Sequence, residues 1–343
     1  MTMKFRLAIC AAVFGCGLFL SAVQAQALAV SPVLYDFEIA PGSSRQSGIT
    51  VTNETQQRET YTLNVENFVP SGECGQQSYV NEARPSGLAS WIFPERPSVS
   101  LDPGQSAEFP FIVNVPRDAE PGGHYATIFF TQSGTRGEAT GVGVGSEVGV
   151  LILVNVPGNV REDARIESFS LRGPTVRDRL PVYFDLRMRN LGSVHFRTRG
   201  TLIVKNMFGR VVQRAPANPN NVATLPASVR RVESVWARTL ADEPDQDPCF
   251  YPPVKGASHE GGFIQDLRNE WDNFALGRYV ASVEITYSST APALFSEEAV
   301  FWVIPWRMLL LMGIGIVLIG TLLKLYNRLL VSSALKKERK RGR

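Results

Sequence analysis

The chain is poor in the residues from which active sites are built. Among 343 residues it has three histidines, His124, His195 and His259. No two of them stand at a spacing that lets them ligate one metal ion, so each reads as a single polar or half-buried histidine. Ser258, His259 and Glu260 are neighbours in sequence, but a nucleophilic triad is assembled in space and adjacency does not favour it. The four cysteines form neither a Cys-X-X-Cys redox pair nor a zinc-ligand spacing. Long amphipathic helical periodicity and alternating strand–helix patterns are missing as well, which excludes the usual α/β enzyme architectures. The stretch "GVGVGSEVG" has glycines spaced like a nucleotide loop, yet it runs into the apolar strand pattern "VLILV". No helix N-terminus follows to hold a phosphate, and the stretch reads as a flexible hairpin. No catalytic constellation and no cofactor is expected.

What the chain does have is an apolar run at each end. Lys4 and Arg6 precede the run Leu7–Leu20, and "SAVQAQA" supplies small residues for cleavage after Ala25 or Ala27. Residues 1–27 therefore read as a signal peptide. An uncleaved helix is disfavoured by the short run, and a lipoprotein site at Cys16 by Phe14. At the other end Met308–Leu323 carries no charge, and Trp306–Tyr326 reaches the length of about 20 residues that spans a bilayer. Residues 305–327 are expected to be a transmembrane helix, with Trp306, Arg307 and Lys324 as interface anchors and Arg307 reaching the outer headgroups. The tail 328–343 contains "KKERKRGR" and is expected to stay in the cytoplasm by the positive-inside rule. That places a single-pass protein in the cell membrane with residues 28–304 outside.

This topology recasts the formal net charge of +3. Residues 28–305 hold 24 Lys and Arg against 31 Asp and Glu, and residues 28–157 alone hold 6 against 14. The basic balance belongs to the ends. A nucleic-acid partner is excluded, and binding of an anionic wall polymer by bulk electrostatics is disfavoured.

Between the ends, short runs rich in β-branched and aromatic residues are broken every ten or so positions by Pro, Gly, Asn or Ser. Turns are expected at Pro41-Gly42 and Pro103-Gly104. In "PVYFDLRMRN", Val182, Phe184, Leu186 and Met188 should point to a core while Tyr183, Asp185, Arg187 and Arg189 face water. The expected fold class is all-β: two tandem immunoglobulin-like β-sandwiches, residues 28–158 and 159–304, followed by the C-terminal transmembrane helix. Residues 240–270 read as an insertion with a short helix around Ile264 to Trp271.

Four features are candidates for sites. Arg187 and Arg189 share one strand face and Arg197 and Arg199 another, so neighbouring strands could form a guanidinium stripe for an anionic partner; cross-strand pairing with Asp185 or Glu233 is the alternative. Cys74 and Cys249, the cysteines left after the signal peptide, could form a disulfide. Asp242, Glu243, Asp245 and Asp247 could hold calcium, although the glycine and bidentate glutamate of an EF-hand loop are missing and a solvated acidic loop is the alternative. Asn53-Glu54-Thr55 matches a glycosylation sequon.

The segments "VSPVLYDFEIAPGSSRQSGITVTN", "VSLDPGQSAEFPFIVNVP" and "PGGHYATIFF" together resemble the first domain of bacterial WxL-interacting cell-surface proteins. The segments "NLGSVHFRTRGTLIVKNMFG", "RVESVW" and "FWVIPW" resemble the membrane-proximal domain that follows it. Through "ASWIFPERPSVSLDPGQS" the first half is similar, more distantly, to periplasmic pilus chaperones. The first resemblance implies a membrane-anchored scaffold recognising a cell-wall polymer or a surface protein. The second implies an assembly chaperone for exported subunits. An accessory subunit of an envelope transporter is a third possibility for such an architecture.

Overall fold

The computed structural model describes residues 28–80, 86–132, 147–238, 262–287 and 295–341. The expected signal peptide, the acidic run 242–247, Cys249 and His259 lie outside the described residues. Two compact units are present. One comprises the chain up to Phe68 with Tyr79–Ala119 and His124–Val156, and the other comprises Val69–Ser78, Glu120–Gly123 and the chain from Pro157 onward.

The first, together with the ends of β4, β5 and β9 that count with the other unit, contains β1 (Leu28–Ser31), β2 (Leu34–Glu38), β3 (Ser44–Asn53), β4 (Glu59–Ser71), β5 (Gln76–Val80), β6 (Ile92–Pro94), β7 (Ser98–Leu101), β8 (Ser106–Asn114), β9 (Gly122–Gln132) and β10 (Glu147–Val156). They form one sheet ordered β1-β3-β8-β6 and a second ordered β2-β10-β9-β4-β5, with β7 also on β4. Period-two alternation places Ile49 and Val51 of β3 and Phe109, Phe111 and Val113 of β8 in one core with Tyr61, Ile128, Phe130, Ile152 and Val154 from the facing sheet. The Pro-Gly turns form as expected, with Gly42 at φ 77° and Gly104 at φ 72°, a region that favours glycine.

The second unit contains β11 (Ala164–Leu171), β12 (Val176–Arg177), β13 (Val182–Asn190), β14 (Phe196–Arg197), β15 (Arg199–Asn206), β16 (Val211–Pro216), β17 (Ala223–Thr224) and β18 (Val229–Trp236). These are followed by helix α1 (Phe263–Asp272), β19 (Gly277–Thr286), β20 (Phe295–Val303) and helix α2 (Trp306–Arg341). A three-stranded sheet β11-β13-β18 packs on a five-stranded sheet β12-β20-β19-β15-β16, and β14 pairs with β17. Val182, Phe184, Leu186 and Met188 are all fully buried, so the alternation read in β13 is realised. Phe301 meets Phe184 edge-to-face at 5.7 Å and Trp236 at 5.9 Å, which joins the two sheets by aromatic contacts. The fold is two immunoglobulin-like sandwiches with a long apolar helix at the C-terminal side.

Each sandwich closes a strand end with a buried asparagine. The Asn53 amide donates to the carbonyls of Gln57 at 2.8 Å and Leu101 at 3.0 Å while its oxygen accepts from Thr55 N–H. Asn190 repeats this, donating to Val194 and Thr224 at 2.8 and 2.9 Å and accepting from Gly192 N–H. The buried amide of Asn53 is not presented to a glycosyltransferase, which disposes of the sequon. Replacing either asparagine by Ala strands buried carbonyl and N–H groups, at about 1–3 kcal/mol each. Urea unfolding should therefore show Asn53→Ala lowering the transition of the first sandwich and Asn190→Ala that of the second; unchanged midpoints would contradict the structural role.

Candidate functional site at the base of the apolar helix

The last strand and the apolar helix are separated by Ile304 and Pro305 alone. Phe301 and Val303 are buried while Trp302 and Ile304 stand exposed, so β20 keeps its alternation to its end. Pro305 cannot donate to a ladder and stops the strand. Its carbonyl instead accepts from Leu309 N–H at 3.0 Å, the first turn of α2. The segment Trp306–Val331 is 26 residues long and reaches a mean hydropathy of 2.3 over a stretch of which nothing is buried. By length and composition it can cross a membrane.

Arg307 corrects the sequence reading. It does not extend toward headgroups; its side chain is 3% exposed and ringed by carboxylates. Nη1 donates to Asp178 Oδ2 at 2.9 Å and to Glu270 Oε1 at 2.8 Å, and Nη2 lies 3.0 Å from Asp266 Oδ2. The guanidinium carbon also sits 4.6 Å from the centre of the Trp306 ring. The physical reason is competition for a cation: Glu270 is fully buried and Asp266 nearly so, and burying them uncompensated would cost more than withdrawing Arg307 from water. Arg179 adds a second, longer approach to Asp266 at 3.6 Å. Trp306 is exposed, and Lys324 lies well along α2.

Helix α1 supplies two of these acids and also caps α2. Asp266 and Glu270 are four residues apart and so share one face, which is the buried face. Glu270 Oε2 accepts the Met308 N–H at 3.0 Å, a backbone group in the first turn of α2 that has no partner within its own helix. The helix was legible in the sequence between Ile264 and Trp271, but its orientation was not. The available signal was the i, i+4 pair of acids set against Ile264 and Trp271. Asp178, 129 residues away from Arg307, left no local signal.

The four arginines expected to form one stripe are not gathered. Arg187 and Arg189 lie on β13 in the three-stranded sheet, Arg197 on the two-stranded ribbon and Arg199 on the five-stranded sheet. Arg187 pairs with Glu73, which belongs to the second unit, and Arg189 binds Glu167. Arg197 donates to the Asn221 carbonyl. The Arg189 hydrogen bond holds the Glu167 carboxyl below its ordinary range. The acids Asp185 and Glu233 are cross-strand neighbours and are held by Arg172, with Arg231 3.0 Å from Asp185. Burial pushes the Glu233 carboxyl up, against the pull of Arg172. The outer face of this sheet is thus a network of alternating signs in place of an open cationic platform.

The remaining candidates fall elsewhere. His124 packs against the Trp91 ring at 4.5 Å in the first sandwich, and His195 lies just before β14. Cys74 is disulfide-bonded. Among the described residues no group of three or more His, Cys, Asp or Glu is placed to hold a metal ion.

No protein-family model and no curated protein matches the chain. Solved structures with a similar fold include the class 5 fimbriae chaperone CfaA, at 11% identity and a TM-score of 0.35 over 80% of this chain and 99% of that one. The E. coli chaperone DraB is 13% identical with a TM-score of 0.32, covering 79% of this chain and 98% of its own. A chaperone–tip subunit complex of Acinetobacter baumannii Csu pili gives 9% and 0.33, with coverage of 80% and 98%. The likeness to pilus chaperones is the part of the sequence resemblance that these comparisons reproduce; at such identities and scores they assign no function to this chain.

Arg307→Met should leave two carboxylates buried without their cation and cost about 3–5 kcal/mol. Thermal unfolding of the full chain in detergent measures it. Arg307→Lys should recover only part, because one ammonium cannot reach three carboxylates in the geometry of a planar fork. A fully stable Met variant would show that the cluster contributes nothing to the junction.

Proposed function

We propose that this chain is a membrane-anchored, non-enzymatic assembly factor that holds an exported polypeptide at the outer face of the membrane and engages it by strand addition. The observation that carries this reading is the outer strand of the five-stranded sheet. Among the described residues β16 pairs with β15 alone, and its Val211 and Val212 side chains are exposed. An edge strand presents a row of N–H and C=O groups to any extended segment that can align with it, and apolar side chains beside that row give an incoming strand something to bury. Main-chain hydrogen bonds would supply affinity, and the alternate side chains of the bound segment would supply selectivity.

Several features support the rest of the reading. The exposed apolar segment Trp306–Val331 supports anchoring in a bilayer. The six Lys and Arg of residues 334–343, against one Glu, support a cytoplasmic tail and hence two sandwiches outside. The disulfide at Cys74 supports an oxidising compartment, and Cys249 is the partner we assign to it. A surface protein suits the site better than an anionic wall polymer, since Arg187, Arg189 and Arg197 are already engaged within the chain and Arg197 lies on a different sheet from the other two.

A photo-crosslinking amino acid in place of Gln213, activated in intact cells, is expected to trap an exported β-rich protein. Val211→Asp combined with Val212→Asp should reduce that adduct several-fold by placing charge on the edge. Adducts to wall polysaccharide alone, or an undiminished yield from the double variant, would sink strand addition as the mode of capture.

A further inference from the structure

Helix α1 is built inside out for a helix on a water-soluble sandwich. Its buried face carries Asp266 and Glu270, and its outward face carries Ile264 and Trp271, 80% and 69% exposed. Ordinary amphipathic helices do the reverse. The acids turn inward because Arg307 draws them, and the apolar residues are thereby directed away from the protein.

The registers of the five-stranded sheet place a second apolar element at the same end. Gly277 pairs with Val303, and Tyr279 pairs with both Phe301 and Asn206. The turn between β15 and β16, Met207 and Phe208, therefore overhangs the end from which Ile304, Pro305 and Trp306 lead into α2. Met207 packs so closely on Gly277 that a Cβ there would lie 2.0 Å from its methyl carbon. Phe208 is left 80% exposed at the tip. The turn is followed by Arg210, and α1 carries Arg268 among its outward residues, both exposed.

We propose that this end of the second sandwich is a bilayer-insertion surface, with Phe208, Ile264 and Trp271 seated at the boundary of headgroups and acyl chains around the point where α2 enters the membrane. The occupant is the lipid itself, because the Glu270–Met308 and Asp266–Arg307 contacts fasten α1 beside the first turn of the apolar helix, and the turn carrying Phe208 stands at the same end of the sheet. Indole and phenyl rings favour that depth, and Arg210 and Arg268 can reach anionic headgroups from it. The sandwich is then held by a helix and by a lipid-facing rim, which sets both its height and its tilt. This rests on the reading that α2 spans a bilayer.

The full chain, reconstituted in vesicles, tests both separately. An environment-sensitive fluorescent amino acid is placed in turn at Phe208, Ile264 or Trp271, at Leu318 within α2, and at Arg199 on the opposite end of the sheet. Lipids carrying a shallow nitroxide should quench the first three and leave Arg199 bright, and lipids with a deep nitroxide should quench Leu318. If Leu318 is quenched while the three rim positions stay bright and accessible to aqueous iodide, the insertion surface is overturned and the membrane span stands. Rim positions shielded from both quenchers would mean that a second copy or another protein covers them, which overturns it equally. An unquenched Leu318 would remove the span and the inference together.

Discussion

A guanidinium withdrawn from water among three carboxylates holds the junction of this protein together. Arg307 belongs to the first turn of an apolar helix, yet its partners come from the loop after β12 and from α1. Such a cluster does not need to raise net stability relative to an apolar substitute; desolvation offsets much of its Coulomb attraction. What it does is make the alternatives expensive. Moving the helix away from the sandwich would strip buried Glu270 of Arg307 and leave Asp266 with the longer approach of Arg179, so the direction in which the chain leaves the last strand is set.

The same contacts explain why α1 breaks the ordinary rule of amphipathicity. A helix that presents Asp266 and Glu270 inward leaves Ile264 and Trp271 on its outward face. Elsewhere the two sandwiches follow local rules closely: alternation in β13, Pro-Gly turns, and buried asparagines that close strand ends. Departure from local consistency is concentrated at the junction, as expected where structure serves something other than stability.

The outer face of the sheet β11-β13-β18 shows why charge patterns are hard to read from one dimension. A row of arginines two residues apart looks like a platform for an anion. In three dimensions β13 is the middle strand, flanked by strands that bring Glu167 on one side and Glu233 on the other, while Arg172 reaches over from the end of β11. Each cation finds an anion within the same chain, and partially exposed pairs of this kind contribute little individually.

Composition and periodicity were sufficient for the all-β class, for the alternation that buries Phe184 and Phe301, for the positions of the turns and for the apolar helix. All of these follow from the period of side-chain direction along a strand or from the length of an uncharged run, which are local properties. The helix of residues 263–272 was also legible as a short element. Its polarity was not, nor was the fate of Arg307, because Asp178, Glu270 and Arg307 are far apart in the chain and meet only when the second sandwich closes. The grouping of the arginines depended likewise on strand order, which pairs β15 with β16 and β19 and leaves β13 in another sheet. Pattern determined which faces are apolar; only tertiary structure decided which charges meet, since buried charges choose partners by proximity in space and not by spacing along the chain.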